Sequence, residues 1–243
     1  MSVQIVYITG ATACGKTTLG KRLAKNYGFY HISMGDLRRA HLDSIKLGLP
    51  HMDEAIREHV RAGTVIPETL LTQYHTVPAV LQYHNQRASH IRGWTTNLAV
   101  KMINESLALA RAVPKWEGES VKVILLDGLP LTGGKVSAEL VDIYKAESAG
   151  LTIVLESDRD VAKQRYLERM RLVTENAERF ESRMELTDRI LEDFIELMAG
   201  TGEVVRSKND GDMNLYDAYD TLLSNLNKSK TWQTLLQISG NGS

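Results

Sequence analysis

The segment from Gly10 to Thr17 has the residue types and the spacing of a phosphate-binding loop. Its sequence, Gly-Ala-Thr-Ala-Cys-Gly-Lys-Thr, fits the pattern G-x-x-x-x-G-K-[ST]. The glycines let the backbone curl so that its N–H groups point inward at phosphate oxygens, and the helix that follows adds its positive N-terminus. We expect the loop to bind a nucleoside triphosphate through Gly10, Ala13, Cys14, Gly15, Lys16, Thr17 and Thr18.

Two side chains of this loop have specific chemical roles in the pattern. Lys16 is expected to reach the β- and γ-phosphates as a catalytic cation, and the Thr17 hydroxyl is expected to ligate Mg²⁺. Cys14, the one cysteine of the chain, lies inside the loop. A helix N-terminus lowers a thiol pKa and favours a reactive cysteine. We prefer the simpler interpretation that Cys14 is a small residue that fits the loop.

The elements around the loop are those that a phosphate-binding loop needs. Val3 to Ile8 form a nearly continuous apolar run, which is typical of a strand covered on both faces. Thr17 to Tyr27 have an apolar stripe at helical spacing, and Gly28 is a suitable helix C-cap. The sequence therefore predicts strand, loop and helix in the required order.

The rest of the chain alternates predicted strands with predicted helices, which indicates an α/β fold with a parallel sheet and helices on both faces. Four further strands are predicted at Tyr30–Ile32, Val121–Leu126, Leu151–Leu155 and Glu203–Arg206. Helices are predicted at Asp53–Ala62, Pro67–Gln73, Ala138–Ser148, Val161–Arg171, Ala177–Ala199 and Asp217–Leu226.

Composition excludes some classes of partner. The 243 residues carry a formal net charge of −1, so no overall positive field attracts nucleic acid or an acidic membrane. No run of residues approaches the roughly 18 apolar residues of a membrane span. One cysteine permits no intrachain disulfide. We expect a cytoplasmic protein that binds neither nucleic acid nor membrane.

Several motifs together resemble the adenylate kinase family, one of the nucleoside monophosphate kinases in the P-loop NTPase superfamily. The stretch from Tyr27 to Arg39, YGFYHISMGDLRR, is similar to the family pattern FGF-x-HLSTGDLLR. Ala62 to Pro67 resembles the GxLVP element, and Leu125 to Pro130 resembles ILDGFPR. Arg165 to Arg169 and Glu178 to Arg183 are similar to two later arginine-bearing stretches, and all five elements keep the family's order.

The resemblance implies a three-layer α/β/α fold with a five-stranded parallel sheet. It also implies transfer of the γ-phosphoryl group of ATP, with Mg²⁺ present, to a nucleoside monophosphate or a related phosphorylated acceptor. It implies that Asp127 lies near the metal and that Arg169 and Arg183 clamp the transferring phosphate. Arg171 is a further candidate, whereas we interpret Arg165 as part of a solvated helix face. Ser33 and Arg39 are expected to bind the acceptor, and the family is often monomeric.

The resemblance also suggests how one domain, residues 1–228, is divided. An acceptor-binding arm is expected at about 33–70, a helical insertion at about 74–118 and a short lid at about 169–177, with a flexible, frayed tail at 229–243.

Departures from the family pattern fall mainly in the acceptor half. Leu131 stands where the family has an arginine that grips the acceptor phosphate, and Met34 stands where the family has a small residue. Lys135 falls at the glutamine that reads adenine. Either another cation replaces the missing arginine or the acceptor is not an ordinary nucleoside monophosphate. The candidate replacement cations are Lys135, Arg87 and Arg92.

Three functions therefore stay open. The first is an ATP- and Mg²⁺-dependent nucleotide kinase. The second is an ATP-binding regulatory protein whose altered acceptor half serves a partner. The third is a small-molecule kinase of the shikimate or gluconate type, against which the SMGDLRR and DGLP motifs argue.

Overall fold

A computed structural model describes residues 3–37, 54–56, 58, 67–71, 96–112, 122–128, 131–132, 135–136, 138–146, 148–169, 176–211 and 213–240. The described strands are β1 (Val3–Gly10), β2 (Tyr30–Ser33), β3 (Lys122–Asp127), β4 (Leu131–Thr132), β5 (Lys135–Val136), β6 (Ser148–Glu156) and β7 (Glu203–Lys208). The helices are α1 (Lys16–Tyr27), α2 (Glu68–Leu71), α3 (Thr96–Ala112), α4 (Ala138–Ala146), α5 (Arg159–Arg169), α6 (Ala177–Ala199), α7 (Leu215–Leu226) and α8 (Lys230–Ile238).

The main sheet has five strands in the order β2–β3–β1–β6–β7. Every neighbouring pair in it is parallel. All five strands correspond to the predicted ones, and the predicted α/β fold class is confirmed. The central strand β1 is almost wholly buried because it has a neighbour on each side and helices on each face.

The two faces of the sheet have separate apolar cores, as the pleat of β1 requires. Val6 and Ile8 of β1 pack in a cluster with buried residues of α1, α7 and α8. Ile5 and Tyr7 point the other way, into a cluster with buried residues of α3 and α6. Successive side chains of a strand point to opposite faces, so one short apolar run serves both cores. The molecule therefore has the helix–sheet–helix layers that the resemblance implied.

Helix boundaries agree with the sequence where local signals are strong. Helix α1 ends at Gly28, which has the left-handed φ of 65° expected of a glycine C-cap. Helix α6 has the predicted bounds, and the side chain of its N-cap Asn176 accepts a hydrogen bond from the Arg179 N–H. The predicted Asp53–Ala62 helix is described at residues 54–56 and 58, which are helical, and the rest of it lies outside the described residues.

The prediction of a frayed C-terminal tail is wrong for most of that segment. Residues Lys230–Ile238 form α8, whose N-cap Ser229 accepts a hydrogen bond from the Trp232 N–H. Trp232, Leu235 and Leu236 are buried in the core of this face of the sheet. Their i, i+3, i+4 spacing is that of an amphipathic helix, and burying them outweighs the polar composition of the tail.

The segment predicted as a helical insertion contains a core helix. Residues 96–112 form α3, and its buried Ile103, Leu107 and Ala110 pack with β1 and β3 rather than at the periphery. The remainder of the predicted insertion, with Arg87 and Arg92, lies outside the described residues.

A small hairpin follows β3 and was not predicted. Strands β4 and β5 are antiparallel, pairing Leu131 with Val136 and Thr132 with Lys135. Gly133 and Gly134 lie between them in the sequence, a composition typical of a two-residue hairpin turn. Two-residue strands have too short a period to be recognised in a sequence. Among the described helices, none is long and apolar enough to cross a membrane.

Candidate active site

The loop between β1 and α1 has a backbone that only glycine accommodates at two positions. Gly10 has a φ of 134°, and a Cβ there would lie 2.1 Å from the Leu155 carbonyl oxygen. Gly15 has a φ of 98°, and a Cβ there would lie 2.3 Å from the Asn209 Nδ2. A side chain at either glycine of the predicted phosphate-loop pattern would therefore be both conformationally strained and in steric clash.

Asn209 holds this loop from outside. Its buried side chain donates a hydrogen bond from Nδ2 to the Cys14 carbonyl oxygen at 3.0 Å. The Arg165 guanidinium donates to the Asn209 carbonyl oxygen at 2.7 Å and to the Asp210 carbonyl oxygen at 3.0 Å. Arg165 is thus an anchor between α5 and the end of β7, and the interpretation of it as a solvated helix residue is wrong.

Lys16 lies over the loop, where its ammonium is hydrogen-bonded to backbone carbonyl oxygens. Its Nζ donates to the Gly10 carbonyl oxygen at 2.8 Å and to the Ala11 carbonyl oxygen. The Cys14 Sγ is 3.5 Å from the same nitrogen. Lys16 is partly buried and hydrogen-bonded rather than exposed, so its ammonium already faces the loop.

Cys14 is a fully buried member of the core beneath the loop. This burial agrees with the interpretation that it is a small residue that fits, because a reactive thiol needs access to solvent.

Thr17 and Asp127 bring a hydroxyl and a carboxylate together at the C-terminal ends of β1 and β3. The Thr17 Oγ1 donates to the Asp127 Oδ2 at 2.7 Å. The His31 Nε2 lies 3.5 Å from the same carboxylate oxygen, and both side chains are almost wholly buried. Burial raises the pKa of the Asp127 carboxyl, but His31, the Lys16 charge and the Thr17 hydrogen bond outweigh it and leave the pKa lowered.

These oxygens fit Mg²⁺, which prefers carboxylate and hydroxyl oxygens and usually shares its coordination with phosphates and water. The lowered pKa keeps Asp127 ionised at neutral pH. Within the described part of the chain, no group of three or more His, Cys, Asp or Glu side chains is arranged to hold a metal alone. We call the loop Gly10–Lys16 together with Thr17 and Asp127 the phosphate site.

The predicted arginines Arg169 and Arg183 come from two helices and meet on one aromatic ring. The Arg169 guanidinium carbon is 4.6 Å from the ring centroid of Tyr166, and the Arg183 guanidinium carbon is 5.7 Å from it. Tyr166 packs in a cluster against Ala11 and Ala13 of the phosphate loop. The structure therefore brings these two cations together beside the phosphate site.

The acceptor half is described only in part. Ser33 ends β2 opposite Asp127 in the register and accepts a hydrogen bond from the Asp36 N–H at 3.3 Å. Met34 is buried, and its Cβ would lie 3.0 Å from a Cβ on Gly128. Lys135 is placed by its backbone in β5, opposite Thr132. Arg39, Arg87, Arg92 and Arg171 lie outside the described residues.

Sequence reasoning missed three residues of this region: Tyr166, Asn209 and His31. His31 lies within the motif that carries the resemblance, and Tyr166 lies between Arg165 and Arg169, so their neighbours were a signal. Asn209 directly follows β7, the kind of position where parallel sheets place site residues, but its contact with Cys14 spans 195 residues.

Comparison with known proteins adds a family resemblance to this geometry. Residues 9–75 match the family model described as an AAA domain. An adenylate kinase of Malacoplasma penetrans is 35% identical over 63 residues, which cover 26% of this chain and 27% of that protein. A cytidylate kinase of Sinorhizobium medicae is 46% identical over 55 residues, which cover 22% of this chain and 26% of that protein.

The matched segments thus span about a quarter of the length of these curated relatives. The shikimate kinase structure from Bacteroides thetaiotaomicron aligns over 96% of this chain and 98% of that one at 16% identity. Its TM-score of 0.45 is too low to carry an argument. The resemblance to nucleotide kinases predicted from the sequence is confirmed for the N-terminal region, which carries the phosphate loop.

Proposed function

We propose that this chain is an ATP- and Mg²⁺-dependent phosphotransferase of the nucleoside monophosphate kinase type, which transfers the γ-phosphoryl group of ATP to a small phosphorylated nucleotide. The observation that carries the proposal is the assembled phosphate site, where Lys16, Thr17 and Asp127 meet at the C-terminal edge of β1 and β3. The similarity of about a quarter of the chain to adenylate and cytidylate kinases supports it.

In phosphoryl transfer the protein mainly neutralises the negative charge of the phosphates and positions the reacting groups. A bound triphosphate replaces the Gly10 and Ala11 carbonyl oxygens as the partner of the Lys16 ammonium, a short displacement for a side chain that already faces the loop. The loop N–H groups and the N-terminus of α1 bind the β-phosphate. Thr17 and Asp127 would hold Mg²⁺, which would supply positive charge to neutralise phosphate oxygens.

The transfer exchanges one bond to the γ-phosphorus for another. The bond between the γ-phosphorus and the β–γ bridging oxygen breaks, a bond from that phosphorus to an acceptor phosphate oxygen forms, and ADP leaves. Arg169 and Arg183, on α5 and α6, are placed to stabilise charge on the migrating group. Both guanidiniums lie over the Tyr166 ring, which packs against Ala11 and Ala13 of the phosphate loop.

The acceptor is tested by measuring ADP release with a panel of AMP, CMP, UMP, GMP and their deoxy forms, with shikimate and gluconate included. We expect one nucleoside monophosphate to raise ADP release well above the rate with water alone. The same panel on Lys16→Ala gives the background. If no acceptor raises turnover above that background, the proposed function is wrong.

A second function, ATP binding in a regulatory role, is favoured by one observation. Leu131 stands in β4 where related kinases carry an arginine that grips the acceptor phosphate. ATP binding in a calorimeter together with a flat acceptor panel would support this alternative. Rapid turnover of any small acceptor would exclude it.

The residue in β4 also provides a test of the acceptor class. Leu131→Arg supplies the missing cation, so we expect the KM for the best nucleoside monophosphate to fall about tenfold, a typical value for one charge-assisted contact. Leu131→Met is the matched apolar control and should leave the KM unchanged. An unchanged KM in Leu131→Arg would indicate an acceptor other than an ordinary monophosphate.

We further propose a cytoplasmic, monomeric protein that uses small nucleotides as its partners. The single cysteine supports the cytoplasmic location, and the resemblance to an often monomeric family supports the monomer. Size-exclusion chromatography with light scattering tests the oligomeric state.

A further inference from the structure

Tyr166 occupies a position that the chemistry above does not explain. It lies on α5, is fully buried, and packs in a cluster with Phe180 and Met184 of α6. Ala11 and Ala13 of the phosphate loop cover the same cluster, so the ring lies between the loop and α6. Its centroid is 5.4 Å from that of Phe180.

The ring carries two cations from different helices. Arg169 ends α5 and Arg183 lies in the second turn of α6, and both guanidinium carbons lie over the Tyr166 ring, at 4.6 and 5.7 Å from its centroid. The negative face of an aromatic ring attracts a guanidinium group electrostatically. Two guanidiniums repel each other, so a shared negative surface offsets the cost of holding them together.

The two helices do not need Tyr166 to stay together at their exposed side. Arg159 pairs with Glu181 at 2.6 Å and with Asp188 at 3.1 Å, and Lys163 pairs with Glu181 at 2.7 Å. These ion pairs join α5 to α6 and contain neither Arg169 nor Arg183. These exposed ion pairs therefore join the two helices independently of Arg169 and Arg183.

We propose that Tyr166 is a positioning residue whose ring holds Arg169 and Arg183 side by side beside the phosphate site, oriented for the γ-phosphate of a bound nucleoside triphosphate. This role of Tyr166 rests on the proposed function. It adds to that function a residue that lies outside the phosphate-loop motif. A free arginine side chain loses rotamer entropy when it binds a ligand. Stacking both arginines in advance removes part of that cost from the binding step.

The ring, and not the hydroxyl, carries this role. In the part of the chain that the structure describes, the Tyr166 hydroxyl oxygen is buried and makes no hydrogen bond. An unsatisfied buried hydroxyl is unfavourable, so Tyr166→Phe keeps the stacking surface without losing a contact. This makes Tyr166→Phe the conservative variant and Tyr166→Leu the disruptive one.

The test measures Kd by calorimetry for the β,γ-imido analogue of ATP and for ADP, with Mg²⁺ present. We expect Tyr166→Leu to weaken binding of the imido analogue about tenfold and of ADP less than twofold, because ADP lacks the phosphate that the arginines meet. Tyr166→Phe should stay within about twofold of the wild type for both. Equal losses for the two nucleotides would mean a general distortion of the loop and would overturn the proposal.

A double-mutant comparison locates the effect. In the Arg169→Ala/Arg183→Ala background, Tyr166→Leu should cause no further loss of affinity for the imido analogue, since the groups that it positions are gone. The same tenfold loss in that background would contradict the inference.

Tyr166→Leu leaves a cavity in a buried cluster and is at risk of not folding. Phenylalanines with one, two and three fluorine atoms at position 166 keep the ring in place while weakening the negative charge of its face. The affinity for the imido analogue should fall stepwise with fluorine number, and a flat series overturns the proposal. Tight triphosphate binding without acceptor turnover would refute the proposed function but not the role of Tyr166. Acceptor turnover together with equal affinities across the fluorinated variants would refute only the role of Tyr166. Absence of triphosphate binding would refute both.

Discussion

Lys16 supplies the positive charge of the phosphate site from a side chain that the loop already holds in position. Its ammonium is held over the loop by carbonyl oxygens of Gly10 and Ala11, which are weaker partners than a triphosphate. The positive charge is thus in place before the nucleotide arrives. What remains for binding is an exchange of partners, without a search through the conformations of a long side chain.

Lys16→Ala should therefore lower acceptor-dependent ADP release by about a hundredfold or more, as expected when a preorganised cation is removed from a phosphoryl-transfer site. The free energy of unfolding should change by less than about 1 kcal/mol, because no apolar core is lost. The control is Lys21→Ala on the same helix, whose exposed ammonium pairs with Asp36 at 3.2 Å. Retention of turnover in Lys16→Ala would contradict the assignment of the phosphate site.

Asn209 acts on the same loop through its backbone. The side chain donates to the Cys14 carbonyl oxygen and fills the space beside Gly15, so it fixes the orientation of the peptide that precedes Lys16. Removing it leaves a buried carbonyl oxygen without this partner, and one of the Arg165 contacts goes with it.

We expect Asn209→Ala to lower the free energy of unfolding by about 1–3 kcal/mol and to weaken ATP binding several-fold, as measured by urea denaturation and by calorimetry. Asn225→Ala is the matched control, since the Asn225 Nδ2 makes only a 3.4 Å contact with the Ser207 hydroxyl. Equal effects of the two variants on ATP affinity would show that the Cys14 hydrogen bond does not order the loop.

At the scale of elements, the sequence predicted what local periodicity and caps encode. The five strands of the main sheet were predicted from short apolar runs, and α6 was predicted from a long amphipathic repeat. Two kinds of element were not predicted from the sequence. The strands β4 and β5 are too short for a period, and α8 was concealed by polar residues around Trp232, Leu235 and Leu236.

The candidate site likewise contains residues that the sequence predicts and contacts that it does not. The loop glycines, Lys16 and Thr17 were predictable because phosphate chemistry fixes their types and spacing. Asp127 was predicted from the resemblance of its motif to a family element. The contacts of Asn209 with Cys14 and of Tyr166 with Arg183 were not predictable, because they join residues far apart in the chain through packing alone. No spacing in the sequence carries that information.

Helix α8 begins at a cap that depends on ionisation. The Glu203 carboxylate accepts hydrogen bonds from the Ser229 hydroxyl at 2.7 Å and from the Thr231 N–H at 3.3 Å. Burial raises the pKa of the Glu203 carboxyl, but these hydrogen bonds outweigh it and leave the pKa below its ordinary value of 4.5. A negative charge at a helix N-terminus is also favourable.

The sign of the pH dependence follows from that lowered pKa. The stabilisation by Glu203 is complete above its ordinary value of 4.5 and is lost as the pH falls through the lower value of the folded protein. The difference in Tm between the wild type and Glu203→Gln should therefore be constant from pH 8 to about pH 5 and should shrink below it. A difference that stays constant down to pH 3 would exclude a role for the charge.

At the scale of the whole molecule, the C-terminal helix supports the helix that carries the phosphate-site residues. The Trp232 ring packs edge-on against Tyr27 at the end of α1, with centroids 5.1 Å apart, and against Phe29 at 5.8 Å. Lys16 and Thr17 form the first turn of that same α1. Helix α8 thus supports the face of the sheet on which the site is built.

Trp232→Ala should accordingly lower the free energy of unfolding by about 3–5 kcal/mol, the usual cost of truncating a fully buried Trp. Thr234→Ala, at an exposed position of the same helix, is the control and should change it by less than about 0.5 kcal/mol. A ligand that binds only the folded state stabilises it by about 2.7 kcal/mol at a hundred times its Kd. Saturating imido analogue of ATP should therefore raise the Tm of Trp232→Ala if its phosphate site persists. A Tm equal to that of Thr234→Ala would mean that α8 does not support the core, whereas a low Tm that the analogue fails to raise would mean that the site is lost together with this helix.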